Sequence, residues 1–266
     1  MRTGKLMMAV LLTSGCLVSS MIAADSTNVV DKPAKELKRI AEGGKYAFVL
    51  FHREGAEVAS VREAVKKAVE NAKGRAEAIE VDVADTGSEA TVRDFGVNRA
   101  PLPLVLAIAP NGAVTAGFPG KCEPQALADA MVGPKGASCL KTLQDGKVVL
   151  ICVEPTGSTS AEATAKAIAA FKADERISGF AESVVIDPAD QAEQGFLGKL
   201  RVDPKSDGAT TLLVTPPGRI VGTYTNAVTT EAMFADLARS MAGSTCGGGG
   251  AGAGQRPGGV GNPIPL

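Results

Sequence analysis

The chain has 266 residues, with 28 Lys or Arg against 29 Asp or Glu and a formal charge of −1. That balance excludes a polybasic nucleic-acid binder and an acidic solvating chain alike, while a hydrophobic content of 45% is enough to bury a core. A single His excludes the multi-histidine zinc and iron sites, and no Gly-rich loop follows a strand with phosphate-binding spacing.

The first residues read as an export signal. Arg2 and Lys5 supply a basic start, Leu6 to Leu12 an apolar run, and Ala23-Ala24 before Asp25 a cleavage site, so residues 1–24 are expected to be removed. A second reading of the same segment is lipidation at Cys16, although Thr13 stands where bacterial lipoprotein signals carry Leu. The expected location is the periplasm or the extracellular space, a bacterial origin being expected from the order of the signal, with no membrane span once it is removed.

The first folded segment, residues 25–136, opens with Asp31 as cap of a helix starting at Pro33 and burying Leu37, Ile40 and Ala41. Tyr46 to Phe51 is a continuous apolar run, expected to be a strand covered on both faces. Val58, Val61, Val65, Val69 and Ala72 share one helical face ending near Gly74. Alternation of Ile79, Val81 and Val83 with Glu80 and Asp82 predicts a strand, and a short helix is expected from Ser88 to Phe95. Leu104–Ala109 and Ala113–Phe118 form a hairpin across Pro110-Asn111-Gly112, and Pro124 to Met131 closes the segment as a helix.

Residues 137–243 repeat this order. Gly44 to Phe51 matches Gly146 to Val153, 102 positions on; Val81 to Asp85 matches Ile186 to Asp190, and Ala109 to Gly112 matches Thr215 to Gly218. A period near 100 means tandem domains, since solenoid repeats are far shorter. Expected elements are a strand at Val148–Val153, a helix at Ser160–Phe171, a strand at Ser183–Ile186 and a helix at Ala189–Leu200. A hairpin of Thr211–Val214 with Ile220–Tyr224 and a last helix carrying Met233, Phe234, Leu237 and Met241 complete the set. Residues 244–266 are rich in Gly and Pro and are expected to form a flexible tail.

Strand, long helix, strand, helix, hairpin and closing helix resembles the thioredoxin arrangement, an α/β fold with a central mixed sheet flanked by helices. Phe48-Val49-Leu50-Phe51 followed by His52 to Ala59 resembles its core strand and active-site loop. Phe95 to Leu106 resembles the segment ending in the family's cis-proline, with Pro103 as the match and Leu102 beside it. The resemblance covers about Lys32 to Met131 and, more weakly, Gly146 to Met241. It departs where the chemistry sits. The family's Cys-x-x-Cys places a thiolate at a helix N-terminus, whereas Ala56 and Ala59 occupy those positions here. The second half offers Gly157-Ser158-Thr159-Ser160, whose hydroxyls cap helices but exchange no disulfides. Ala209 or Thr210 stands at the second proline position.

With Cys16 lost in the signal, Cys122, Cys139, Cys152 and Cys246 remain, an even number in an exported chain that allows three pairings. A Cys122–Cys139 bridge would fasten the closing helix of the first half. Cys152 lies in a core strand and reads as a buried thiol, and Cys246 is a free or intermolecular one. His52 reads as a surface-loop residue, Asp85 and Asp190 as turn or cap residues. No catalytic, metal or cofactor set emerges. A proline loop beside a cysteine-free helix start resembles the non-catalytic domains of protein disulfide isomerases. That resemblance implies a peptide groove at Leu102 and Pro103 and other polypeptides as partners. Two further readings stand beside it: a thiol–disulfide oxidoreductase using Cys122, Cys139 or Cys246, and a structural envelope component.

Overall fold

The structure, a computed structural model, describes residues 31–53, 58–155, 161–202, 208–225 and 228–242. The expected export signal, Cys16, Ala56, Ser158, Cys246 and the Gly-rich tail lie outside these residues.

The first half runs α1 (Lys32–Glu42), β1 (Tyr46–His52), α2 (Ala59–Asn71), β2 (Ala76–Asp82), α3 (Glu89–Asp94), β3 (Leu104–Ile108), β4 (Val114–Pro119) and α4 (Pro124–Asp129). The second runs α5 (Pro134–Gln144), β5 (Val148–Val153), α6 (Ala161–Ala173), β6 (Ala181–Ile186), α7 (Gln194–Leu200), β7 (Thr210–Thr215), β8 (Arg219–Thr225) and α8 (Thr230–Ala242). Each half holds one four-stranded sheet, in the orders β2-β1-β3-β4 and β6-β5-β7-β8. In both, the first pair is parallel and the other two antiparallel. The parallel pair is joined through the long helix, as a parallel connection requires.

Strands β3 and β5 are apolar throughout, and β1 as far as Phe51, because both of their faces are covered. Phe48, Leu50 and Val105 belong to a core that continues through α5 into Val149, Ile151, Leu197 and Val214 of the second half. The opposite face of the first sheet packs Val49 and Phe51 with Ile40 and Val92. That of the second sheet packs Leu150 and Cys152 with Ile168 and Phe171.

Two expectations need correction. Helix α5 was not expected, yet it is the counterpart of α1, 102 positions on, and the expected domain boundary between residues 136 and 137 falls inside it. Helix α7 starts at Gln194 rather than Ala189. Before it, Asp187 Oδ1 accepts from Ala189 N at 2.8 Å and Asp190 Oδ1 from Ala192 N at 2.9 Å, so these side chains hold turns in place of helix.

The two halves share a joint between the first helix and the third, with the acid on opposite sides. Asp31 caps α1, accepting from Ala34 N at 2.8 Å, and also accepts from Thr91 N and Oγ1 of α3 at 2.8 and 2.7 Å. At the start of α5 the corresponding residue is Gly133, and the carboxylate comes from the other helix. Glu193, the N-cap of α7 and fully buried, accepts from Lys135 N at 2.7 Å and Gly136 N at 2.9 Å. Glycine is required at 136, where a Cβ would stand 2.8 Å from Phe196 Cγ. Tyr46 of β1 donates to Val132 O at 2.6 Å in the same buried region, tying the first sheet to the entry of α5.

Candidate functional site

In the first half, β1 ends at His52 and α2 opens with Ala59, whose preceding residue Val58 makes no side-chain cap. The Leu102–Pro103 peptide is cis and leads directly into β3. Register places Leu104 opposite Phe51, so the proline stands beside the end of β1. Pro103 is buried and its carbonyl accepts from Gly120 N at 2.7 Å, while Leu102 is half-buried against the outer core.

His52 is not a loop residue. It closes β1, with its side chain only 17% exposed and Nε2 lying 3.8 Å from Glu80 Oε2. Arg62 of α2 grips the same carboxylate with two bonds, at 2.6 and 2.9 Å. Its guanidinium holds the Glu80 carboxyl below the usual range, against the opposing effect of burial. The strand register carries Glu80 to this place, opposite Leu50 of β1.

Cys122 follows β4 and lines a pocket of about 320 Å³ with Ser60, Val61 and Ala64 from the first turns of α2. Sequence reasoning missed this approach to the helix start; the residue's place just beyond the strand paired to β3 was the available signal. Burial, then the charge of Glu123, pushes its thiol up from the ordinary value.

The expected Cys122–Cys139 bridge is not formed: Cys122, Cys139 and Cys152 are all free thiols. Cys139 is fully buried on α5, inside the core common to both sheets, whereas Cys122 faces the α2 pocket. Burial, then the Glu193 carboxylate, pushes Cys139 up to about 12. Burial, then Glu154, pushes Cys152 up to about 11. Thiols so placed are poor nucleophiles, because the thiolate is the attacking form.

In the second half Glu154 follows β5, and Ala209 precedes β7 where Pro103 precedes β3. The second cis peptide is Pro216–Pro217, in the turn between β7 and β8. Among the described residues no three His, Cys, Asp or Glu side chains converge as a metal site. No helix among them is long and apolar enough to cross a membrane.

No protein-family model and no curated protein matches the chain. Solved structures similar to it include thioredoxin O2 from Arabidopsis thaliana, 14% identical over 38% of this chain and 86% of that one, with a TM-score of 0.31. Human ERp44 is 12% identical over 86% of this chain and 60% of its own, with a TM-score of 0.33. The first two thioredoxin domains of Saccharomyces cerevisiae Eps1p are 11% identical over 78% of this chain and 95% of theirs, with a TM-score of 0.29. At such scores the weight falls on topology. By strand order, strand direction and helix placement, the chain is built of two tandem domains of thioredoxin-like fold.

Proposed function

We propose that the chain is an exported, redox-inactive thioredoxin-like protein that binds or scaffolds other polypeptides. One observation carries the reading. Beyond the end of β1, where Pro103 stands, α2 opens with Ala59; the described thiol near that helix start, Cys122, is held above its ordinary pKa, as are Cys139 and Cys152 in the core. What such a scaffold retains at that place is a groove wall made by Leu102 and Pro103, without a nucleophile. The basic, apolar and small-residue order of residues 1–24 supports export.

The test pairs two assays on the mature chain. Fluorescein-labelled, reduced and carboxymethylated α-lactalbumin is expected to bind, read by anisotropy, while insulin reduction stays at the uncatalysed rate. Absence of binding together with insulin reduction would overturn the reading. A second reading, thiol exchange through Cys122, is favoured by the position of that residue beside α2 and opposed by its raised pKa. Insulin reduction abolished by Cys122→Ser would establish it.

A further inference from the structure

The two halves differ along one sheet edge, and the first serves as control for the second. Strands β2 and β6 are the outer strands of their sheets, each paired on one side among the described residues. The edges are equivalent: Tyr46 N donates to Arg75 O at 2.9 Å in one, Val148 N to Phe180 O at 2.8 Å in the other. Further along, Glu80 stands opposite Leu50 and Val185 opposite Cys152, the fifth residue of each central strand.

At the first edge these positions are charged. Arg75 precedes β2, and Glu80 is locked by Arg62 over a pocket of about 460 Å³. Charges of this kind deter the pairing of another chain. At the second edge Phe180 is 66% exposed and Val185 49%. Beneath Val185 a groove of about 470 Å³ runs between β6 and α6, walled by Ala165, Ile168 and Ala169. Glu154 lines the same groove, and its Oε2 is buried with no hydrogen-bond donor among the described residues. Lys172 lines the groove too, but its ammonium donates to Glu182 and Ser183, at 3.3 and 3.4 Å.

We infer that the β6 edge docks an extended, aliphatic segment of a partner polypeptide by strand addition, with a basic residue of that segment directed to Glu154. The inference rests on the polypeptide-binding reading and names the surface that serves it. Backbone bonds to β6 supply pairing, and alternate side chains enter the groove. Edge size decides against a second copy of this chain. A six-residue edge is about 20 Å long and a sheet about 10 Å thick, so edge-to-edge contact covers on the order of 200 Å² per partner. A stable dimer needs roughly 800 Å² per partner. An extended segment requires no such area, because the groove takes its side chains.

The probe is a fluorescein-labelled Lys-Val-Thr-Val-Ser-Val-Lys peptide, titrated with the full mature chain and read by anisotropy. The double variant Phe180→Arg/Val185→Glu rebuilds the charges of the first edge at two exposed positions. It is expected to weaken binding at least tenfold with an unchanged melting temperature. The same peptide N-methylated at alternate residues, which removes its strand-pairing N–H groups, is expected to lose at least tenfold on the wild-type chain. Equal affinity for either comparison overturns the inference. So does a dimer in sedimentation velocity that the double variant abolishes, since the occupant is then a second copy. Unchanged α-lactalbumin binding by the double variant overturns strand addition and leaves the polypeptide-binding reading standing. Peptide binding without α-lactalbumin binding supports strand addition and overturns only the expected capture of an unfolded chain.

Discussion

Replacing Glu193 with alanine removes the acceptor for two N–H groups in the first turn of α5, at 2.7 and 2.9 Å. The two donors are not equally placed. Gly136 N–H is buried, so leaving it unpaired costs roughly 1–3 kcal/mol. Lys135 belongs to an exposed residue, and loss of a helix cap of this kind costs about 1 kcal/mol. The sum is on the order of 2–4 kcal/mol. For a folded unit of this size each kcal/mol moves the melting temperature by roughly 2–4 °C, so a fall of about 5–15 °C is expected in thermal unfolding followed by circular dichroism. Glu193→Gln keeps one acceptor and turns an amide donor toward the other N–H, and its melting point should fall between the two. A Glu193→Ala chain melting within about 1 °C of wild type would refute the cap.

Gly136→Ala brings a Cβ to 2.8 Å from the buried Phe196 ring. It is expected to destabilise by about 1–3 kcal/mol, read as a lower midpoint in urea; an unchanged midpoint would show that the ring gives way. Tyr46 is pushed up to about 12 by burial, and Tyr224 is raised further by burial and Asp236. Their neutral forms therefore stabilise the fold below the ordinary tyrosine pKa of about 10, and that contribution is lost as pH rises through the folded values. With two Tyr and no Trp in the chain, tyrosinate absorbance at pH 11 should stay well below half of its full value while the chain is folded, and full ionisation there without unfolding would contradict the burial. In native alkylation resolved by peptide mass spectrometry, Cys122 should react before Cys139 and Cys152, which need denaturant; rapid labelling of Cys139 would exclude its place in the core. Burial opposes ionisation of Asp31, but hydrogen bonds from Ala34 and Thr91 prevail and leave its carboxyl below the usual range. Its contribution is present above the ordinary value near pH 4 and is lost as pH falls through the lowered one. The melting-temperature gap between wild type and Asp31→Ala should accordingly narrow from pH 7 to pH 2.5, and a constant gap would sink the assignment.

The parts of the fold legible in sequence were those whose burial is simple. Strand β5 is apolar along its whole length, and β1 as far as Phe51, because helices cover both faces. Asp31 announced α1 because a carboxylate before Pro33 has one local use, and its bond to Ala34 N is that use. Helix α5 contains Pro134 and Gly136, both poor helix formers in an interior; Pro is harmless at the first turn, and Gly136 answers to Phe196, 60 residues away. At the candidate site, Pro103 was legible through the resemblance of Phe95 to Leu106 to the segment that ends in the thioredoxin family's cis-proline, and its peptide is cis. The approach of His52 to Glu80 depends on the register of two strands, and that of Cys122 to α2 on packing between distant segments. Glu193 was the least legible of all, since nothing local distinguishes a buried carboxylate from a solvated one until its helix terminus is in place.

The core that runs from Phe48 through α5 to Val214 means that neither repeat is a self-sufficient fragment. Severed near Val132, the first sheet would present to water the apolar face that α5 now covers, and Tyr46 would lose its acceptor. The pair should therefore melt in one cooperative transition, with no temperature at which one domain survives alone. Were the second sheet to hold a polypeptide as proposed, the unfolding free energy of the first would rise as well, and occupancy at one end would be felt as resistance to proteolysis at the other.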